Sequence, residues 1–391
     1  MLTDVWKADS GDCHQATMQI QSSWAKRMMS IFFGLAMGLL VAECGLRLLG
    51  LPRFHKAHSS PLQFWFERDP ETGEFYYVNV PSSTIAFVYD SNPRGYFKPG
   101  NVVEHKTNSA GFRGPEFQLA KSSHTVRLAF LGDSFTFGEG VHFEDTFPEV
   151  TARLLEKHLS GQGIAVQSYN FGVGGYNTAQ ELFILKKMAL SVHPDAIILC
   201  YVLNDAEPEL CTFDTIQQRF VRRPRESGVP EGLDDPHPPP NLIYHLRVSQ
   251  VIWRFCTGLE RNRQTEEYYH SLYRSDAENW RRTRQALHEM AQICRDENIP
   301  LIVMLFPVLY KLNSHYPFRD LHEMVDREIQ NTGAQFLDLL PAFTGKSGPI
   351  LWVHPTDQHP NEKAHAIAAR QLAAILICDE EAVLRSIRQR P

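Results

Sequence analysis

Residues 126–141 read VRLAFLGDSFTFGEGV. An apolar run, broken only by Arg127, stops at Gly132. A Gly-Asp-Ser turn follows, and Gly138 and Gly140 flank the acid Glu139 in the loop behind it. A nearly continuous apolar run fits a strand of a parallel sheet covered on both faces better than an alternating surface strand. Ser134 then stands at the carboxyl end of that strand, where open α/β sheets bind their ligands. Taken alone it reads equally well as a polar residue in a tight turn, so the rest of the chain has to decide.

The same rhythm repeats outward from this stretch. Thr146 and Glu149 have the spacing of a capping box and predict a helix to about His158. AVQSYNFG (165–172) is a second strand. Thr178 and Glu181 repeat the box before TAQELFILKKMAL, and DAIILCYVLND (195–205) is a third strand, apolar almost to its end. Ser275 and Glu278 open a helix to about Asn298. PLIVMLFPV (300–308) and AQFLDLL (334–340) are strands four and five, with a helix over about 317–331 between them. A last helix, about 362–377, carries Ala364, Ile367, Ala368, Leu372 and Ile375 on one face. Strand and helix alternating through short connections predict a doubly wound α/β domain, a three-layer sandwich around a five-stranded, mostly parallel sheet.

Residues 206–275 interrupt this rhythm and read as an insertion. Its stretch PRESGVPEGLDDPHPPPN (224–241) is a Pro-rich loop. NLIYHLRVSQVIWRFCTGL (241–259) has helical apolar spacing, read as packing on the core in preference to covering the site as a lid. Upstream, 51–125 is rich in aromatics, Pro, Gly and Asn, with strand-like FYYVNV (75–80) and TIAFVY (84–89) and a run of turns in TNSAGFRGPEF (107–117). It is expected to be an irregular cover. The expected organisation is a polar head (1–27), an anchor (28–50), the cover (51–125), a catalytic domain (126–378) holding the insertion, and a tail (379–391).

The anchor rests on Met28 to Ala42, MMSIFFGLAMGLLVA, where no charge appears. These fifteen residues fall short of the roughly 18 of a spanning helix, and extending the run to Leu51 brings in Glu43 and Arg47. These are four apart, so they share a helix face and can pair. A buried helix and a cleaved signal peptide are the alternatives. No small-residue cleavage pattern follows, so an uncleaved transmembrane helix is expected. Basic residues nearly balance across the span, and a short head before a large domain places that domain outside the cytoplasm, in the periplasm.

Bulk properties narrow the function. The 391 residues carry a net charge of −6, and outside RFVRRPR (219–225) there is no dense basic stripe, which argues against a nucleic-acid partner. The seven cysteines form no CxxC pair, so no zinc site is expected. The loop GEG at 138–140 lacks the lysine of a phosphate-binding loop. No cofactor or metal is expected.

At the strand ends stand Asp133-Ser134, the glycines of NFGVGGYN, Asn204-Asp205 and the loop VHPTDQHPN (353–361). A nucleophilic Ser134 needs a base. His359 is the best candidate, with Asp357 two residues before it to hold one imidazole nitrogen, and His354 competes. An oxyanion needs donors, which the N–H groups of Ser134 and Gly175 and the Asn204 amide can supply. Pro360 and Asn361 also read as the entry and cap of the last helix.

GDSFTFG, NFGVGGYN, LND and DQHPN, in this order, resemble the SGNH (GDSL-type) hydrolase superfamily, whose sheet is flavodoxin-like. SAGFRGPEF followed by GDSFTFGEGV is similar to its bacterial membrane-anchored members. The four blocks match on Ser134, Gly175, Asn204 and His359. Two departures stand out: Val202 replaces the glycine that opens the third block, and the acid lies at Asp-x-His where the family has Asp-x-x-His, with Thr356 in that place. The resemblance implies ester or thioester hydrolysis, or transfer of an acyl group onto a sugar hydroxyl, and names no substrate. The leading expectation is a serine acyl hydrolase of the esterase or lipase kind, working through an acyl-enzyme on an acyl-ester substrate, with a glycan or lipid as its expected carrier. An O-acyltransferase or acetyl esterase acting on an extracytoplasmic polysaccharide, and a non-catalytic binding module keeping the fold, are the alternatives.

Overall fold

The computed structural model describes residues 10–54, 64–70, 75–214, 219–222, 241–380 and 384. Most of the Pro-rich stretch 224–241 and of the tail 379–391 lies outside the described residues. The chain divides into two units, Met1–Phe54 with Pro236–Glu260, and His55–Asp235 with Arg261–Pro391.

The larger unit is built on five strands, β1 (Thr125–Gly132), β2 (Ala165–Asn170), β3 (Ala196–Tyr201), β4 (Leu301–Leu305) and β5 (Gln335–Asp338). They lie in the order β5-β4-β3-β1-β2, and every pairing is parallel. β1, β3 and β4 are buried along their whole length, as their continuous apolar runs require. Arg127, the one charged letter in β1, is buried because its guanidinium donates to the Val192 and Ala120 carbonyls at 2.7 and 2.6 Å. Flanking the sheet, α3 (Phe147–Leu159) packs with α8 (Glu362–Cys378), while α4 (Thr178–Lys187) packs with α6 (Glu278–Asp296) and α6 with α7 (Arg319–Thr332). The short α2 (Ser134–Phe137) and the long α1 (Ser10–Leu48) and α5 (Arg247–Leu272) complete the helices used below; α1 and α5 precede and interrupt this pattern. After β2 the chain crosses back over β1 to reach β3. This reversal leaves a crevice at the carboxyl ends of β1 and β3, the place such sheets use for ligands.

Three helix starts differ from the capping boxes expected. Thr146 stands at the N-cap of α3, but its hydroxyl donates to the Phe143 carbonyl at 2.8 Å, and Glu149 accepts from Ser168 instead. α6 begins after Ala277 without a side-chain cap, and Glu278 pairs with Arg281 and Arg282 on the surface. In α4 the box is one residue earlier: Asn177 accepts from the Gln180 N–H and Gln180 from the Asn177 N–H, both at 3.1 Å. Two overlapping capping patterns lie in NTAQE, and the burial of Leu182, Ile184 and Leu185 selects the first. The shifted frame turns Glu181 inward. It is 1% exposed, and neither carboxyl oxygen is hydrogen-bonded among the described residues.

The cover region is more ordered than its composition suggests. Phe64–Arg68 pairs antiparallel with Phe75–Asn79, and Thr84–Val88 with Val102–Lys106. The second hairpin builds a small core of Ile85, Phe87, Tyr89 and Val103 against Phe137, Val141 and Val353. Arg113, 1% exposed, reaches the loop behind Ser134, donating to the carbonyls of Phe137 (2.7 Å), Gly138 (2.5 Å) and Val141 (2.5 Å).

In the smaller unit, α1 is one continuous helix, so helical structure begins at Ser10 within the expected polar head. Its stretch Lys26–Leu48, 23 residues, is long and apolar enough to cross a bilayer and is almost bare of protein contacts. It is consistent with a membrane anchor. Glu43 and Arg47 pair at 2.6 Å, as their spacing predicts.

Two stability measurements follow from this packing. Arg113→Ala leaves three carbonyls without their charged donor and should cost about 3–5 kcal/mol, read as a lower midpoint in denaturant; a loss below about 1 kcal/mol would show the loop holds itself. Burial, reinforced by Asp133, pushes the Glu181 carboxyl well above the usual range, and burial with Glu181 and Asp133 does the same to Asp205. Such a carboxyl keeps its proton longer in the native state than in the unfolded chain. Its stabilisation is full below the unfolded pKa, about 4, and is lost as pH rises toward the folded value. Glu181→Gln should therefore flatten the fall of stability between about pH 5 and pH 8, by up to ~1.4 kcal/mol per pH unit. Equal slopes for the two proteins in thermal melts would mean the carboxyl is already ionised in the native state.

Candidate active site

β1 delivers Asp133 and Ser134 to the crevice. Asp133 caps α2, its Oδ1 accepting the Phe135 N–H at 2.8 Å. Its Oδ2 accepts from Asn204 Nδ2 at 2.8 Å, so one carboxylate shapes the turn bearing Ser134 and holds the amide at the end of β3. Asn204 lies in a 3-10 turn, Leu203–Ala206, directly after that strand. Val202, at the place of the expected glycine, is buried and donates its N–H to Asp205 Oδ2 at 3.1 Å. Gly175 occupies the turn after β2, at the same end of the sheet. Its φ of +77° favours glycine there, and an added Cβ would also press on the Leu210 side chain at 2.6 Å. Its carbonyl accepts from the Tyr77 hydroxyl at 3.1 Å.

The loop after β5 closes the site. Trp352–His354 and Asp357–Pro360 form a short antiparallel ribbon. In an extended strand, residues i and i+2 point to one face. Asp357 and His359 therefore share a face, which is how Asp-x-His does the work of the longer spacing. His359 Nδ1 and Asp357 Oδ1 are 2.6 Å apart, and His359 Nε2 lies 2.9 Å from Ser134 Oγ. Asp357 is fully buried and also accepts from the His359 backbone N–H (3.1 Å) and the Tyr89 hydroxyl (2.7 Å). Ser134 is 8% exposed, and the Phe135 ring stands edge-on to the imidazole at 5.7 Å.

The competing base is engaged elsewhere. His354 is buried, with Nδ1 2.8 Å from Thr356 Oγ1 and Nε2 2.9 Å from Ser91 Oγ and 3.1 Å from Asp90. Thr356, which stands where the family's acid would be, serves that second histidine. Asn361 caps α8 as its position suggests, accepting from the N–H groups of Lys363 (3.0 Å) and Ala364 (3.2 Å).

Sequence reading did not find Glu139. Flanked by glycines in the loop after α2, it reads as a turn residue, yet it is buried with Oε2 3.5 Å from His359 Nε2. The loop is fixed by Arg113 and by the Gly140 N–H, which donates to His105 Nε2 at 3.2 Å. Burial keeps His105 neutral, well below the usual histidine range, and so able to accept. Burial also pushes Glu139 up to about 7, Asp357 and Asp133 adding to the shift. For His359, burial opposes the charged form, but the carboxylates of Glu139 and Asp357 outweigh it and raise the imidazolium to about 10. Tyr89 was likewise missed, since nothing local links it to a carboxylate 268 residues away.

The arrangement can pass a proton from a serine hydroxyl to an imidazole whose other nitrogen is held by a buried acid, beside an amide donor. Solved structures similar to this chain include LAE5, an alpha/beta hydrolase enzyme from the metagenome of Lake Arreo, Spain (13% identity, 65% of this chain and 95% of that one, TM-score 0.40). Others are the lipase Lip_vut3 from a goat rumen metagenome (14%, 64% and 96%, TM-score 0.38) and the psychrotrophic esterase EstA from Pseudoalteromonas sp. (11%, 65% and 98%, TM-score 0.38). No curated protein matches the chain in sequence. The model of the GDSL-like lipase/acylhydrolase family matches residues 130–367, from the end of β1 into α8. That span holds the serine, the amide and the acid–imidazole pair described above, and the chain belongs to this family of carboxylic ester hydrolases.

Proposed function

We propose that Ser134 is the nucleophile and His359 the general base of this ester hydrolase. The observation that carries the reading is the unbroken line from Asp357 Oδ1 through the imidazole to Ser134 Oγ, at 2.6 and 2.9 Å. With neutral His359, Nδ1–H donates to Asp357 and Nε2 accepts the serine proton. The Ser134 oxygen bonds to the ester carbonyl carbon as that proton moves to Nε2. The oxyanion is met by the N–H groups of Ser134 and Gly175 and by the Asn204 amide proton that Asp133 does not take. The imidazolium then protonates the leaving alcohol as the C–O bond breaks. Water, deprotonated by the same imidazole, releases the acid from Ser134.

The substrate in this reading is an ester-linked acyl group on a lipid or glycan near the membrane, with α1 as anchor and the catalytic unit outside the cytoplasm. The anchor supports such a substrate by tethering the catalytic unit to the membrane.

Ser134→Ala should abolish labelling by a fluorophosphonate and lower p-nitrophenyl acetate turnover by about 10³-fold or more. Labelling of the variant at the wild-type level would remove Ser134 from the role. Glu139 gives a second test. The base must be neutral to act, and its raised pKa places the acid limb of kcat/KM above neutral pH, with activity climbing as pH rises. Glu139→Gln removes the carboxylate facing Nε2, so the limb should move to lower pH by about one unit or more. A pH–rate profile that keeps its midpoint would show that Glu139 does not act on the base.

A further inference from the structure

The first part of α5 presents its apolar side outward. Val251, Ile252, Phe255 and Leu259 are exposed, as are Ile243 and Leu246 just ahead of the helix. At 3.6 residues per turn, the four helical positions and Val248 between them fall within an arc of roughly 100°. The other side carries Arg247, Gln250, Arg254 and Thr257, all half-buried. A surface helix in water is arranged the other way round, with its apolar stripe inward and its charges outward.

The N-terminal end of α5, and Arg254 on its half-buried side, are tied to the end of α1. Glu43 Oε2 accepts the Val248 N–H at 3.0 Å. Arg47 donates to the His245 carbonyl at 3.1 Å. Arg254 donates to the Arg53 carbonyl at 2.7 Å and stands over the Phe54 ring at 5.8 Å. The start of α5 is therefore held beside residues 43–54, where the 23-residue apolar stretch ends. A span that crosses a bilayer brings its end to the headgroup level, and whatever is bound there meets the same boundary.

We infer that residues 243–259, the first part of α5 with the turn ahead of it, form an interfacial segment whose apolar side rests in the headgroup–acyl boundary of the bilayer that α1 crosses. Arg53, Arg247 and Arg254 cluster at this level, and basic side chains beside an embedded apolar face favour anionic lipid. The occupant of the exposed face is thus the lipid surface itself. The inference rests on the reading of α1 as a membrane span.

The test uses the full-length chain reconstituted in phosphatidylethanolamine–phosphatidylglycerol vesicles, with Cys13, Cys44, Cys211, Cys256 and Cys378 replaced by serine. Nitroxide labels are placed one at a time through Ile252→Cys, Phe255→Cys, Leu259→Cys, Gln250→Cys, Thr257→Cys and, within the span, Leu39→Cys. The ratio of oxygen to nickel-chelate accessibility should be severalfold higher at 252, 255 and 259 than at 250 and 257, and highest at 39. A lipid-buried Leu39 label with water-exposed labels at 252, 255 and 259 overturns this inference alone. So do labels there shielded from both reagents, which would mean that protein covers the face. A nickel-accessible label at Leu39 overturns the span and this inference with it.

Discussion

Three buried carboxylates share one imidazole. Asp133, Glu139 and Asp357 all favour the charged form of His359, and burying negative charge is costly unless partners are supplied. Asp357 accepts from the imidazole, the His359 backbone N–H and the Tyr89 hydroxyl. Asp133 has the Phe135 N–H and the Asn204 amide. Glu139 is the least compensated, and its pKa rises accordingly. In the proposed chemistry the imidazolium exists only after the serine proton has moved, so this surplus of negative charge stabilises the state on the way to the acyl-enzyme. The same surplus holds a proton on the resting imidazole, so in the proposed chemistry some neutral base at neutral pH is traded for a better-stabilised intermediate.

That balance depends on a segment outside the sheet. Tyr89, His105 and Arg113 lie upstream of β1, yet they touch Asp357, Gly140 and the loop carrying Glu139. What composition suggests is an irregular cover is thus a strap fixing both sides of the imidazole. The residues proposed to act on substrate come from the strand ends and the loop after β5, and residues that touch them or their neighbours come from the strap.

The legible part of the sequence was the part governed by local rules. Continuous apolar runs bounded by polar turns gave away buried parallel strands, and the polar residues beyond their ends include Ser134, Asn204, Asp357 and His359, which the fold brings together in one crevice. The capping frames were less legible, because NTAQE contains two valid boxes and only packing against the sheet selects between them. Asp-x-His looked like a departure until the strand at 357–360 supplied the reason: alternate residues of an extended chain share a face, so two positions suffice where a turn needs three. Glu139 and Tyr89 left no local trace, since a carboxylate between glycines and a tyrosine at a strand end are ordinary in sequence and acquire their roles only through contacts across the fold.

The insertion shows the same limit in another form. Helical apolar spacing in 241–259 correctly marked a helix with one apolar side, and packing on the core was the natural expectation in water. Periodicity states that such a side exists; it does not state what medium the side meets. In the structure the helix start is held by Glu43 and Arg47 at the end of an apolar helix, Arg254 on the charged side donates to the Arg53 carbonyl, and the apolar side faces out. When the polar half of an amphipathic helix helps to hold the chain and the apolar half is left to the surroundings, an apolar medium is what that half fits, and in the inference drawn above α1 is the described helix that brings a bilayer within reach.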